Sequence, residues 1–132
     1  MAVTLLQGIH QRWSDSAPLS ALLPASRVST GPSGDASLPR AVIYPRSDRL
    51  VTRSNDGSSV RAVGVQIQVF HGSLDAATAI VQEVKAAFDR AAFDLDYGER
   101  VVDMVQTDGS AKQQPDGVWQ WTLEFKCTVH HG

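Results

Sequence analysis

The sequence predicts an α+β fold: an antiparallel sheet of about four strands, with an N-terminal helix and a central amphipathic helix packed on one face. The main evidence is a change of hydrophobic period within residues 60–88. Apolar residues first recur at every second position, as in a strand with one buried face, and then follow a helical stripe. The alternating residues are Val63, Val65, Ile67 and Val69, and the helical ones are Ala77, Ile80, Val81, Val84 and Phe88. Ser73 stands between the two patterns, where its hydroxyl can cap the helix.

A second observation is the strict alternation of apolar and polar residues near the end of the chain. The apolar positions are Trp119, Trp121, Leu123, Phe125, Cys127 and Val129. This pattern predicts a long strand with one face on the core and the other on water or a partner. Because the connections between the later strands are expected to be short turns, antiparallel pairing is favoured.

The remaining elements are predicted from shorter patterns. Leu5, Leu6, Ile9 and Trp13 form the stripe of an N-terminal helix over residues 3–14. The turn residues Asn55-Asp56-Gly57 indicate a hairpin. Short strands are expected at 40–44, 50–53 and 100–106, with residues 48–54 folded back onto the strand at 60–70.

Two segments are predicted to be flexible loops within a single domain that covers residues 1–132. Residues 24–39 are rich in Ser, Gly and Pro, and residues 107–117 are polar throughout and contain two Asp-Gly pairs. A connection as long as the second segment is often functional or mobile. We therefore expect residues 107–117 to project from the sheet.

Composition excludes several classes of protein. Twelve basic and fourteen acidic residues give a net charge of −2, whereas a dedicated nucleic-acid binder carries a clear basic excess, so no sequence-specific nucleic acid is expected. The apolar start of the chain is interrupted too early for a membrane span, so no membrane partner is expected. Cys127 is the only cysteine, which favours a reducing compartment.

Side chains that could carry chemistry do not converge in the sequence. The histidines are scattered, the densest acidic run lies in a glycine-containing turn, and the cysteine has no activating partner nearby. We therefore predict no catalytic, cofactor-binding or metal-binding residue, and no enzymatic activity. The residues considered are His10, His71, His130, His131, Asp94, Asp96, Glu99 and Cys127.

Arginines cluster between residues 40 and 61 with few acids among them. Such a run is most often a solvated face, but it could also contact a partner subunit or DNA. Together with the polar segment at 107–117, it defines the predicted subunit or partner interface. Its residues are Arg46, Arg49, Arg53, Thr107, Asp108, Lys112, Gln113 and Gln114.

The order of these features resembles the tail-completion proteins of long-tailed phages, the tail terminator and head-tail joining (neck) group. Leu38-Pro39-Arg40-Ala41-Val42 is similar to the Pro-bounded first strand of that family. Residues 65–70, Ser73 and the Ala-rich helix at 80–88 are similar to its strand and helix core. The stretch from Val118 to Phe125 is similar to its last strand.

The resemblance implies a structural virion protein with no cofactor. Such proteins form an oligomeric ring, commonly a hexamer, that caps the tail tube and joins the tail to the head connector. The implied partners are other copies of the chain, the tail tube protein and the head-tail connector protein. The implied location is the tail or neck of the virion, after assembly in the host cytoplasm.

The alternative is a small α+β ligand-binding or enzymatic module, which would need convergent polar residues at strand ends. A sheet that binds RNA is a third possibility, and it would need a basic excess.

Overall fold

The computed structural model describes residues 2–31 and 37–132. The helices are α1 (Ala2–Asp15), α2 (Ala17–Leu22) and α3 (Leu74–Phe88), and a 3-10 turn spans Ala25–Arg27. The strands are β1 (Val28–Thr30), β2 (Arg40–Arg53), β3 (Ser59–His71), β4 (Ala91–Asp94), β5 (Glu99–Gln113) and β6 (Trp119–His131). They form one sheet in the order β1-β2-β3-β6-β5-β4.

The predicted fold class, with about four antiparallel strands, is wrong. The sheet has six strands, and it is mixed because β1 runs parallel to β2. It curls into a half-barrel. The sequence analysis missed β1 and β4 because three or four residues are too few to display a strand period.

The strands predicted at 40–44 and 50–53 are parts of the single strand β2. Pro45, directly after the first of these segments, does not end the strand but lies at a bulge between Pro45 and Ser47. Strand β1 pairs only with Ala41–Ile43, so β2 has no second neighbour beyond that point in the described chain. Proline can therefore occupy the strand there without costing a ladder hydrogen bond on that side.

The prediction of a flexible loop at residues 107–117 is also wrong. Strand β5 continues to Gln113, in register with β6 as far as Trp119, and only a tight turn connects the two strands. Polar side chains do not prevent this pairing, because the ladder is made by backbone groups. In the other predicted loop, 24–39, the 3-10 turn and β1 replace part of the irregular chain, while residues 32–36 lie outside the described residues.

The hairpins β2–β3 and β5–β6 close with the same turn geometry. In the first, Ser54 N donates to Ser58 O (2.8 Å) and Gly57 has φ +90°. In the second, Gln114 N donates to Val118 O (2.8 Å) and Gly117 has φ +87°. An aspartate, Asp56 or Asp116, accepts from the backbone N–H two residues later in each turn, at 3.0 Å. We call residues 54–58 and 114–118 the first tip and the second tip.

The two tips point to opposite ends of the sheet. Strands β3 and β6 are antiparallel neighbours, and Ser59 pairs with His131 while His71 pairs with Trp119. The first tip therefore lies beside His131 and the second beside His71. Twelve residues of β6 separate the two ends, which is about 40 Å of extended strand.

One face of the sheet carries the hydrophobic core. Ser73 caps α3 as predicted, with Ala76 N donating to its Oγ at 3.3 Å. The predicted helical stripe is fully buried and packs on alternate residues of β3 and β6. The predicted core is confirmed, except that Trp121 is only half-buried and packs at its margin; the other members are Leu123, Phe125, Val65, Ile67, Ile80, Val84 and Phe88.

Helix α1 contacts the end of α2 once and the end of α3 twice. The indole N–H of Trp13 donates to Leu23 O (2.8 Å), and its ring lies 6.4 Å from that of Phe88. Arg12 Nε donates to Ala87 O at 2.7 Å. None of the helices in the described residues has both the length and the apolar character needed to cross a membrane.

Candidate functional site

The predicted interface residues fall into two separate groups. Arg46, Arg49 and Arg53 lie on the half of β2 that leads to the first tip. Lys112, Gln113 and Gln114 lie at the second tip, at the opposite end of the sheet. Because β2 and β5 belong to hairpins that point in opposite directions, these two groups of residues cannot form one continuous patch.

Within the described ranges, strand β2 has an open edge along residues 45–53, which we call the β2 edge. On one side it pairs with β3, whereas β1 covers only Ala41–Ile43 on the other side. Every residue of the β2 edge is exposed, including the apolar Leu50 (41%) and Val51 (52%). An open edge of this length presents a row of backbone donors and acceptors to a partner.

The β2 edge is basic. Arg46, Arg49 and Arg53 make no ion pair or side-chain hydrogen bond within residues 2–31 and 37–132. The acid in this segment, Asp48, is bound by Arg61 at 2.7 Å. That hydrogen bond also raises the pKa of Arg61. Three arginine charges are therefore left on the β2 edge.

Thr107 lies near two of these arginines on the polar face of the sheet. A groove of about 370 Å³ is lined by Arg46, Arg49, Thr107, Glu124 and Lys126, among others. The Thr107 hydroxyl donates to Glu124 O at 3.3 Å. The next residue, Asp108, is exposed and accepts from the backbone N–H of Gly109 at 2.8 Å.

The polar face also carries a chain of side-chain hydrogen bonds that the sequence analysis did not identify. Gln68 Nε2 donates to Gln66 Oε1 (2.9 Å), and Gln66 Nε2 donates to Glu124 Oε1 (2.7 Å). Near the second tip, Gln114 Nε2 donates to Gln120 Oε1 (2.5 Å). The sequence signal for these hydrogen bonds is the regular spacing of glutamines between the apolar positions of β3 and β6.

The far margin of the sheet, beyond β5, is acidic. We call Asp94–Gly98 together with Val102 and Asp103 the β4 margin. Asp94, Asp96 and Asp103 are exposed, and Asp94 is bound by Arg100. Within the described ranges, the carboxylates of Asp96 and Asp103 have no hydrogen-bond or ion-pair partner. Tyr97 (84% exposed) and Val102 (44%) add apolar surface.

Three of the four histidines make local hydrogen bonds with backbone groups. His10 Nε2 is 3.0 Å from Ala25 O, His71 Nδ1 accepts from Ser73 N at 3.0 Å, and His131 Nε2 is 3.1 Å from Tyr97 O. In the part of the chain that the structure describes, no three His, Cys, Asp or Glu side chains are grouped to hold a metal.

Cys127 is fully buried on the core face of β6. Burial, with a smaller contribution from the charge of Asp103, raises the pKa of the Cys127 thiol to about 12. The thiolate is the reactive form of cysteine, so this side chain is inert at neutral pH and serves the core as a small apolar group.

Comparisons with known proteins complete this description. No curated protein matches the chain. A solved chain from the structure titled "Virion of native gene transfer agent (GTA) particle" has the same fold: the TM-score is 0.76, the identity is 20%, and the match covers 98% of this chain and 96% of that one. The family model described as "Tail completion protein gp17" matches residues 7–130. Because that match spans nearly the whole chain, the chain belongs to the tail completion protein gp17 family.

Proposed function

We propose that this structural tail protein closes the end of a tail tube as a ring of identical subunits, commonly a hexamer, and joins the tail to the head connector. Its membership of the tail completion family supports the role in the tail. The similar fold of a chain in a gene transfer agent virion particle supports a location in the virion, reached after assembly in the host cytoplasm.

The observation that carries the ring proposal is the open β2 edge. Proteins usually shorten, cover or charge their edge strands, because an open edge pairs with other chains. Here nine residues, 45–53, are open and exposed, and they include Leu50 and Val51. Pro45 and the arginines discourage indiscriminate pairing, and they fit a surface reserved for a designated partner. Another copy of the chain is the partner that a ring supplies.

The second tip is proposed to contact a different partner. Lys112, Gln113 and Gln114 lie about 40 Å of strand away from the first tip, at the end of the β5–β6 hairpin. Their distance from the β2 edge suits a contact along the ring axis, with the tail tube protein or the connector protein, better than a contact between subunits.

The proposal is tested by omitting the protein from assembling particles. We expect tails of uncontrolled length that fail to join heads, and full rescue by the wild-type chain. In negative-stain images and by native mass spectrometry, the purified chain or the chain bound to isolated tail tubes should form rings. Tails of normal length that join heads without the protein would contradict the proposal.

The contact at the second tip has its own test. The triple variant K112A/Q113A/Q114A should form rings but join tails poorly, because the changed residues lie away from the β2 edge. Lys85→Ala is the matched control, since Lys85 is an exposed lysine on α3. Normal tail joining by the triple variant would show that the second tip is not a contact.

A further inference from the structure

The basic β2 edge and the acidic β4 margin lie at similar positions along the direction of the strands. The strand register connects them residue by residue: Arg49 pairs with Ala62, Ala62 with Thr128, and Thr128 with Asp103. Arg49 and Asp103 therefore lie in one cross-strand row, with Arg49 on β2 and Asp103 on β5, next to the strand β4 at the far edge of the sheet. Both side chains lie on the polar face, because residues paired across a sheet share a face.

A neighbouring row extends the same relationship towards the first tip. Thr52 pairs with Val60, Val60 with His130, and His130 with Arg100. Arg100 pairs in turn with Asp94 on β4, so the sequence around Asp94 and Asp96 stands level with the end of β2. Arg53 pairs with Ser59, Ser59 with His131, and His131 with Glu99. Leu95 N donates to Glu99 O, so the unpaired carboxylate of Asp96 follows the row of Arg53 by one residue.

The exposed apolar residues follow the same levels. Val51 lies in the bulge between Leu50 and Thr52, and Val102 lies in the bulge between Val101 and Asp103. Leu50 and Val101 occupy one row, through Arg61 and Val129. Each margin therefore offers an apolar residue flanked by free charges, positive on one side and negative on the other.

We propose that the β2 edge of one copy docks against the β4 margin of the next copy. Arg49 then faces Asp103, Arg53 faces Asp96, and Val51 packs on Val102 and Tyr97. The inference rests on the proposed ring, and it names the two surfaces that build it. The positive and negative charges lie at similar positions along the direction of the strands. Rotation about the ring axis therefore brings them together without a shift along the axis.

Symmetry favours this occupant over a two-fold dimer. A contact between two different surfaces is heterologous, and it generates a closed ring when the rotation closes. A two-fold contact through the β2 edge would set arginine against arginine, and one through the β4 margin would set aspartate against aspartate. Like charges placed together at an interface are unfavourable and suppress such pairings.

Charge reversal in separate chains tests the pairing. R49D/R53D makes both margins acidic, and D96R/D103R makes both margins basic. For each variant alone, we expect the protein concentration needed for ring assembly to rise at least about tenfold. An equal mixture should form rings in which the two variants alternate, and native mass spectrometry would show their equal stoichiometry. K85E reverses a charge on the exposed face of α3, away from both surfaces, and it should leave ring formation unchanged.

Cross-linking gives an independent measurement. Cys127 is buried, so cysteines introduced by R49C or D103C are the only accessible thiols in the described chain. With a short bis-maleimide, neither variant alone should cross-link, whereas their mixture should give covalent dimers. R49C mixed with D116C, at the second tip, is the control that should give none.

The outcomes separate this inference from the proposed function. Rings that form normally from either charge-reversed variant, or cross-links within R49C alone, would overturn the pairing and leave the ring intact. A wild-type chain that stays monomeric even on isolated tail tubes would overturn both. Each variant is first compared with wild type by thermal melting, so that a loss of rings is not a loss of folding.

Discussion

The ring of Phe88 on α3 meets the ring of Phe125 on β6 edge to face, with centroids 6.5 Å apart and planes at 70°. Both side chains are almost completely buried. The pair joins the helical layer to the centre of the sheet, and Trp13 extends the contact to α1 through Phe88. Three elements that are distant in sequence therefore depend on one aromatic cluster.

Truncation of this cluster should be costly. Phe125→Ala is expected to lower the free energy of unfolding by about 3–5 kcal/mol, because it removes buried contacts and leaves a cavity. Urea denaturation measures the change. Lys126→Ala, on the opposite face of the same strand, is the control and should change it by less than about 0.5 kcal/mol. An unchanged midpoint for Phe125→Ala would contradict the face assignment of β6.

Trp13→Phe tests the hydrogen bond between α1 and the end of α2. The substitution keeps an aromatic ring but removes the N–H that donates to Leu23 O at 2.8 Å in a buried site. An unpaired buried carbonyl costs about 1–3 kcal/mol, so the melting temperature should fall clearly. Trp119→Phe is the control, because the indole of Trp119 makes no hydrogen bond with any of the described residues. Equal melting temperatures for the two variants would rule out a stabilising role for the bond.

The buried thiol of Cys127 makes the free energy of unfolding depend on pH in the alkaline range. Its thiol pKa is raised to about 12 in the folded chain, above its value of 9.0 when unperturbed. The unfolded chain therefore releases this proton first, and the free energy of unfolding falls as pH rises from 9 towards 12. The slope from this one group approaches about 1.4 kcal/mol per pH unit. Cys127→Ala should lose that part of the slope, and a slope identical to wild type would contradict the prediction.

The two tip glycines should make equal contributions to stability. Gly57 and Gly117 have φ of +90° and +87°, a region that costs a residue with a side chain about 1–2 kcal/mol. Gly57→Ala and Gly117→Ala should each be destabilised by about that amount in urea denaturation. Gly72→Ala is the matched control, because Gly72 has no positive φ and an added methyl group there would meet no heavy atom within 4 Å. A harmless Gly117→Ala would show that the second tip has another conformation.

Amide exchange along β5 distinguishes a strand from a loop. Residues 107–113 pair with β6 on one side, and β4 covers only residues closer to Arg100 on the other. In a monomer, slow and fast amides should therefore alternate along 107–113, because only every second N–H points to β6. Uniformly fast exchange would indicate the loop that the side chains suggested.

Sequence periodicity predicted the elements whose side chains alternate between core and solvent. The stripe of α3 and the alternation of β6 follow directly from burial on one face, so both could be recognised. Residues 107–113 could not, because they are polar on both faces and are held by the backbone of β6. Gly8 in α1 permits close packing that no periodic pattern indicates, because a methyl group there would lie 2.2 Å from Leu95 Cδ2.

Sequence patterns could point to only part of the proposed interface, for a topological reason. The arginines of β2 stood out as a run of charge, whereas their proposed counterparts, Asp96 and Asp103, looked like an ordinary solvated turn. What relates the two groups is the register of four strands, and single-sequence patterns do not contain it. The same register separates Arg53 from Lys112, which the sequence had suggested for one surface.

In the proposed ring, the opposed directions of the two tips would give the assembly a polarity. Subunits related by rotation alone would set every first tip on one rim and every second tip on the other. The two turns have the same backbone geometry but different side chains. Asn55 and Ser58 lie in the first tip, whereas Pro115 and Val118 lie in the second. The proposed ring would therefore have two different rims, and it could join the tube and the connector in only one orientation.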